Sequence, residues 1–206
     1  MSYSFAHDSG SLMAAGHSAG TFLICTLGEA RAGKSAVLTR IYGGMRRFED
    51  DFEYPGCLID DGVRRQIYVD GHAWLIEFFE LRDPSEPSTD ELQALQRASG
   101  WFFIYPVNGQ ESFKALPTKW LPLAMNTWEQ PTDKAVKQDQ IPVRMVCATK
   151  TDLDSERTVS SEQGQAMASS IDAGYAEVSA HYGPNEACLD VFPMIVRQWR
   201  QVNRWD

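Results

Sequence analysis

The chain has 206 residues, 43% of them hydrophobic and 23% charged, with a formal net charge of -9. This length and composition are typical of one globular domain with a sizeable core, and they exclude a fibrous, collagen-like or wholly disordered chain. Nonspecific nucleic-acid binding requires clustered Lys and Arg, so the acidic balance predicts no nucleic-acid partner.

Four cysteines at positions 25, 57, 147 and 188 lack the paired spacing of a metal site. We expect the reduced thiols of a cytoplasmic protein. No apolar run approaches the length of a membrane span, and the N-terminus has no basic flank before a hydrophobic segment. The sequence therefore predicts no stable membrane insertion.

Residues 1–20 are rich in Ser, Gly, Ala and His and are predicted to form a flexible tail before a domain at 21–206. Within them, Gly16-His17-Ser18-Ala19-Gly20 fits the G-x-S-x-G nucleophile elbow of serine hydrolases. That elbow requires a preceding strand and further upstream strands for its oxyanion loop. Only seventeen residues precede Ser18, so a hydrolase is disfavoured.

The next segment carries the strongest motif in the chain. A predicted strand at 21–27 leads into Gly28-Glu29-Ala30-Arg31-Ala32-Gly33-Lys34-Ser35, which matches the phosphate-binding P-loop pattern G-x-x-x-x-G-K-[ST]. A predicted helix at 35–42 follows. Such a loop turns consecutive backbone N–H groups towards an anion, while Lys34 reaches terminal phosphates and Ser35 offers its hydroxyl to magnesium.

Two predicted strands at 63–69 and 73–81 flank Asp70-Gly71, a hairpin turn signal. Ser88-Thr89-Asp90-Glu91 fits a capping box at the start of a helix that ends near Gly100. The following run, 101–105, is apolar throughout, as in a strand covered on both faces.

Three prolines interrupt the helical pattern between 111 and 139, which predicts a broken helix and then an exposed loop. The remaining predicted elements are a buried strand at 141–148, a helix from Ser160 to about Ile171, a strand at 175–178 and an amphipathic helix at 188–202 that is kinked or restarted at Pro193. This alternation predicts a three-layer α/β fold, with ligands bound at the carboxyl ends of the strands.

Two further turns carry short motifs. Thr149-Lys150-Thr151-Asp152 follows the strand at 141–148, and Ser179-Ala180-His181 follows the last strand. From the P-loop onward, about nine-tenths of the chain, the sequence resembles the Ras-like small GTPases, whose [NT]-K-x-D and S-A-[KH]-like turns bind guanine. Arg64 to Gly71 also looks like the second strand of that family. The resemblance implies a P-loop NTPase G domain, with a mostly parallel six-stranded sheet, one antiparallel strand and helices on both faces.

The resemblance also implies the ligands, GTP or GDP with Mg²⁺, and their contacts. Asp152 would accept hydrogen bonds from guanine, Lys150 would lie against the base, and the Ala180 N–H would meet the O6 carbonyl. Ser35 and Glu80 would serve the metal. The full set of implied nucleotide contacts is Gly28, Ala30, Arg31, Ala32, Gly33, Lys34, Ser35, Ala36, Phe48, Thr149, Lys150, Asp152, Leu153, Ser179, Ala180 and His181.

The pattern departs from the family where the nucleotide should be sensed and hydrolysed. No Ser or Thr occurs from Arg40 to Pro84, so the family's first-switch Thr is missing. The second-switch motif D-x-x-G-Q reads Glu80-Leu81-Arg82-Asp83-Pro84, and Ala30 replaces a P-loop glycine. We therefore predict slow or absent GTP hydrolysis and assign no catalytic residue. In the alternative, the loops rearrange, with magnesium held by Asp60, Asp61 or Glu53 and Arg82 stabilising charge.

Two other functional classes remain open. A pseudoGTPase would use the fold only as an interaction module, and an ATP-dependent kinase would need adenine, which Asp152 disfavours. Protein effectors or regulators are the expected partners. The chain ends in Asn203-Arg204-Trp205-Asp206 without a prenylation motif and has no glycine at position 2. We expect a cytoplasmic protein, peripheral to a membrane only if a lipidated tail lies outside this sequence.

Overall fold

The computed structural model describes residues 18–43, 64–82, 85–129, 140–181 and 191–205. Its centre is a six-stranded sheet with the order β2-β3-β1-β4-β5-β6. Only β2 and β3 pair in the antiparallel sense, and all other neighbours are parallel. The strands are β1 (Ser18–Leu27), β2 (Arg64–Val69), β3 (His72–Glu80), β4 (Gly100–Pro106), β5 (Val143–Thr149) and β6 (Gly174–Glu177). The predicted fold class is confirmed.

Helices cover both faces of this sheet. They are α1 (Lys34–Gly43), α2 (Thr89–Arg97), α3 (Gln110–Ala115), α4 (Leu121–Glu129), α5 (Ser161–Ser170) and α6 (Val191–Val202). Helices α1 and α6 pack on one face, and α2 to α5 pack on the other. Within β4, Phe102 and Ile104 join the first core while Trp101 and Phe103 join the second. A strand buried on both faces has no polar face, which explains the continuous apolar run in the sequence.

Local signals determine where several elements begin and turn. Asp70 and Gly71 both have positive φ, 51° and 82°, as a tight type I′ hairpin requires. Ser88 with Glu91 and Ser160 with Gln163 form the two capping boxes, so α2 and α5 begin as predicted.

The segment between 110 and 129 differs from the prediction of a broken helix. Helix α3 continues through a π turn at Leu116–Trp120 directly into α4. The N–H of Leu116 bonds to the carbonyl of Phe113, three residues back, whereas that of Leu121 bonds to the carbonyl of Leu116, five residues back. The prolines at 117 and 122 are accommodated by this change of hydrogen-bond pattern, so they do not end the helix.

The N-terminal boundary also differs. Strand β1 begins at Ser18, three residues before the predicted start, because the chain pairs there with Ala73 of β3. Ser18 thus lies within a strand, whereas a nucleophile elbow lies on a turn between strand and helix. The rest of the predicted tail, the acidic stretch at 45–62 and the loop at 130–139 lie outside the described residues.

Two of the cysteines, Cys25 and Cys147, are buried and outside any disulfide, and burial raises the pKa of the Cys25 thiol. In the part of the chain that the structure describes, no helix has the length and apolarity needed to cross a bilayer.

Candidate functional site

The loop between β1 and α1 has the backbone that its glycines permit. Gly28 has φ 154°, and a Cβ there would stand 2.2 Å from the carbonyl oxygen of Ile104. Gly33 has φ 94°, and its Cβ would lie 3.0 Å from Oγ1 of Thr149. Arg31 adopts φ 63°, a left-handed conformation that costs a non-glycine residue about 1 kcal/mol or more. The loop is therefore fixed by close packing against β4 and β5.

Lys34 lies beneath this loop and is only 5% exposed. Its Nζ donates hydrogen bonds to the carbonyl oxygens of Gly28, at 2.6 Å, and Glu29, at 3.2 Å. The ring centroid of Trp120 lies 5.8 Å from the same nitrogen, within the range of a cation–π contact. Burial lowers the pKa of Lys34, while the charges of Glu80 and Glu29 act in the opposite direction. The structure thus holds a desolvated amine directly beneath the P-loop.

The two predicted metal residues lie together. The hydroxyl of Ser35 donates to Oε2 of Glu80 at 2.8 Å, and Oε1 of Glu80 is 3.8 Å from Nζ of Lys34. Among the described residues, no cluster of three or more His, Cys, Asp or Glu could hold a metal ion. Magnesium in nucleotide sites normally keeps several waters and phosphate oxygens, so two protein oxygens are compatible with it.

A cavity of about 320 Å³ opens beside the loop, at the carboxyl ends of β5 and β6. The residues around it come from three separate stretches of sequence. They are Gly33, Ala36, Val37, Thr149, Lys150, Asp152, Leu153, Ala180 and His181. All but Val37 belong to the predicted nucleotide contacts, so the structure brings the P-loop and the turns at 149–152 and 179–181 to one site.

Hydrogen bonds within these turns orient the groups that face the cavity. Thr149 donates to the carbonyl of Ala32, which ties the P-loop to the end of β5. Ser179 donates to Oδ1 of Asp152 and accepts from the N–H of His181 at 3.1 Å, so the two turns hold each other. These contacts place the exposed Asp152 carboxylate at the rim, where an acceptor for base N–H groups is expected.

Two arginines that sequence reasoning did not assign also support the site. Arg157 donates to Asp154 at 2.7 Å and to both carboxylate oxygens of Glu177, at 3.2 and 3.1 Å. It thereby joins the 3₁₀ helix at Thr151–Glu156 to the end of β6. Arg40 donates to the carbonyl of Ala180 at 3.2 Å. Only Arg157 lies in a stretch with a sequence signal, because it stands three residues before Ser160, the N-cap of the second capping box.

The remaining predicted residues are not all placed. Ala30 and Arg31 lie exposed at the crest of the P-loop. Phe48, Asp83 and Pro84 lie outside the described residues, as do Glu53, Asp60 and Asp61, the alternative metal ligands.

A sequence model of the Ras family matches residues 23–201, which is most of the chain. The chain belongs to the Ras family. This assignment agrees with the sheet order and with the position of the P-loop after β1.

One curated relative in this family is Protein ras-1 of Neurospora crassa. It is 24% identical over 183 residues, which cover 89% of this chain and 78% of the relative. Ras-family proteins generally bind GTP or GDP with Mg²⁺, and the cavity, Lys34 and the Ser35–Glu80 pair provide groups that suit these ligands.

Proposed function

We propose that this Ras-family chain binds GTP or GDP with specificity for guanine, signals through protein partners, and hydrolyses GTP slowly or not at all. The observation that carries the proposal is that Gly33, Lys150 and Asp152 line the same cavity. A carboxylate that accepts from two guanine donors would be left partly unpaired by adenine, and such a loss discriminates strongly between bases.

The proposal of slow hydrolysis rests on the residues that follow β3. Phosphoryl transfer depends on a positioned water and on donors that meet the γ-phosphate. Pro84 stands where the family has its glutamine, and Asp83 brings a negative charge to a glycine position. Neither residue can position the attacking water as glutamine does, and proline has no N–H to donate.

A buried carboxylate holds the two ends of this segment. Glu91, at the first turn of α2, accepts the N–H of Arg82 at 2.9 Å and the N–H of Ser88 at 2.7 Å. Burial raises the pKa of Glu91, but the backbone hydrogen bonds outweigh that effect and the pKa is lowered. The ionised carboxylate thus fixes the chain on both sides of positions 83 and 84, which supports a segment that changes little with the nucleotide.

The runner-up is a pseudoGTPase that does not bind nucleotide or does not switch. One observation favours it: Lys34 and Ser35 already have protein partners, since Lys34 bonds to the loop carbonyls and Ser35 bonds to Glu80.

When bound, magnesium would neutralise phosphate charge, and Ser35 and Glu80 are the residues that would hold it.

The deciding experiment is mass spectrometry of nucleotide released by denaturing freshly purified protein. Bound GTP or GDP supports the proposal, an empty site supports the pseudoGTPase, and adenine nucleotide would indicate the kinase class. Single-turnover hydrolysis of loaded GTP then tests the rate. The double variant Asp83→Gly with Pro84→Gln should hydrolyse faster than the wild type, and the single variant Pro84→Ala, which restores only an N–H, serves as its control.

A further inference from the structure

The π turn at Leu116–Trp120 places two consecutive side chains against the P-loop. Nζ of Lys119 lies 3.2 Å from Oε1 of Glu29, and the next ring, Trp120, lies 5.8 Å from Nζ of Lys34. Lys119 and Glu29 are 90 positions apart in the chain. Because π turns are rare and often occur at functional sites, these contacts warrant a functional explanation.

Glu29 brings a negative charge into the P-loop. It is an acidic residue inside a loop that must accept phosphate, and its charge acts on Lys34 as well as on any anion bound there. Its side chain is 33% exposed, so solvent screens this charge only in part. Unneutralised, the carboxylate would repel phosphates and would compete with them for the Lys34 ammonium group.

We infer that Lys119 is a positioning residue of the phosphate site: it neutralises Glu29 and so keeps the P-loop receptive to the polyphosphate of GDP or GTP. This inference rests on the proposed nucleotide binding. Lys119 acts through Glu29 and does not contact the nucleotide. Its effect should therefore grow with phosphate charge and should be larger for GDP than for GMP.

The test is a double-mutant cycle on nucleotide affinity, measured by displacement of a fluorescent GDP. Lys119→Gln should weaken GDP binding about two- to fivefold, the range expected when one partner of a half-exposed ion pair near a charged ligand is lost. The effect on GMP should be smaller. In the Glu29→Gln background the same change should have almost no effect, and Lys119→Arg should retain wild-type affinity.

Lys114 offers a matched control on the same helical segment. Its side chain is 59% exposed, against 58% for Lys119, and it is also paired with a carboxylate, that of Glu111 at 2.8 Å. Lys114→Gln should leave GDP affinity unchanged. The difference between Lys119→Gln and the wild type should shrink in about 1 M salt, where the Debye length falls to about 3 Å.

Three results would overturn the inference while leaving nucleotide binding intact. GDP affinity could be unchanged in Lys119→Gln, the loss could be equal for GMP and GDP, or it could be equally large in the Glu29→Gln background, which would mean direct attraction of the phosphates. Failure of the wild-type protein to bind either nucleotide would instead overturn the proposed function together with this inference.

Discussion

The hydroxyl of Ser35 donates a 2.8 Å hydrogen bond to one carboxylate oxygen of Glu80, whose other oxygen lies 3.8 Å from Lys34. The parallel register of β1 and β3, in which Thr26 pairs with Glu80, brings this side chain to the P-loop. In the family pattern an Asp occupies the position of Glu80. Glu80 is one methylene longer than Asp and its carboxylate accepts directly from Ser35, so a metal ion would have to displace this hydrogen bond.

We therefore predict that nucleotide affinity depends on magnesium less than is usual for the family. EDTA should accelerate GDP release only modestly, by about threefold or less, because little of the binding free energy comes from protein–metal contacts. Stopped-flow release of a fluorescent GDP measures this rate. Glu80→Asp is the informative variant, since the shorter side chain should free Ser35 and increase the EDTA effect. A large acceleration in the wild type would reveal a metal site built from other residues.

Asp152 should determine base specificity. Asp152→Asn should weaken GTP binding by at least about tenfold and should favour xanthosine triphosphate, because an amide offers a donor where guanine presents its own donors. Competition between the two nucleotides for the loaded protein measures the change. Asp154→Asn, on the same 3₁₀ helix but outside the cavity, should leave the preference for GTP unaltered. Unchanged competition in Asp152→Asn would remove this residue from the site.

The two switch regions should have nearly the same conformation with GDP bound as with GTP bound. A ligand shifts a conformational equilibrium only by its differential affinity for the two states. No Ser or Thr occurs from Arg40 to Pro84 that could tether the γ-phosphate through a hydroxyl. Hydrogen exchange on residues 49–62 and 80–92, with GDP and with a non-hydrolysable GTP analogue, tests this. Strong protection seen only with the analogue would restore a conventional switch.

A matched pair of variants tests whether the Glu91 carboxylate holds the second switch region, residues 80–92, in place. Glu91→Gln should raise exchange at Arg82 and Ser88 with either nucleotide, because a neutral amide accepts their N–H groups less strongly than a carboxylate. Asp90→Asn, at the neighbouring exposed position, should not.

Glu177 should make stability depend on pH. Burial raises its pKa, but hydrogen bonds from Tyr175, Ser161 and Arg157 outweigh burial and hold the pKa below its usual value. Ionised Glu177 thus stabilises the fold above the unfolded-state pKa, and this contribution is lost as the pH falls through the lower folded-state value.

Glu177→Gln should therefore lower the free energy of unfolding by about 1–2 kcal/mol at pH 7, and by progressively less below about pH 4. Urea unfolding at several pH values measures both effects. Glu111→Gln, at a side chain that is 87% exposed, should change the free energy of unfolding little at any pH. A difference from the wild type that does not vary with pH would show that Glu177 acts only through packing.

Much of the fold was predictable because its signals are local. The P-loop and the turns at 149–152 and 179–181 are short sequences that each follow a strand, and parallel strands bring their carboxyl ends to one edge. Hairpin and capping signals also depend on neighbouring residues only, so Asp70-Gly71 and the two capping boxes were predicted correctly.

The contacts that sequence reasoning missed join distant positions. Lys119 lies in the π turn and meets Glu29 across 90 positions of the chain, and the prolines around it favoured the wrong prediction of a break. Arg157 meets Glu177 only once β6 is in place. The first three residues of β1 lack an apolar pattern, so the sequence did not indicate a strand there. Their backbone pairing with β3 places them in the sheet.

The π turn also determines the rotational phase of everything that follows it. A π turn contains one residue more than an α-helical turn between the same two ends. One residue of an α-helix corresponds to about 100° of rotation about the helix axis. Deleting one residue from 116–120 would let the segment rewind as a regular helix and would swing the buried Ala124 and Thr127 of α4 away from their present neighbours. The fold should therefore tolerate substitution of the exposed Thr118, yet it should not tolerate a single-residue deletion in this segment.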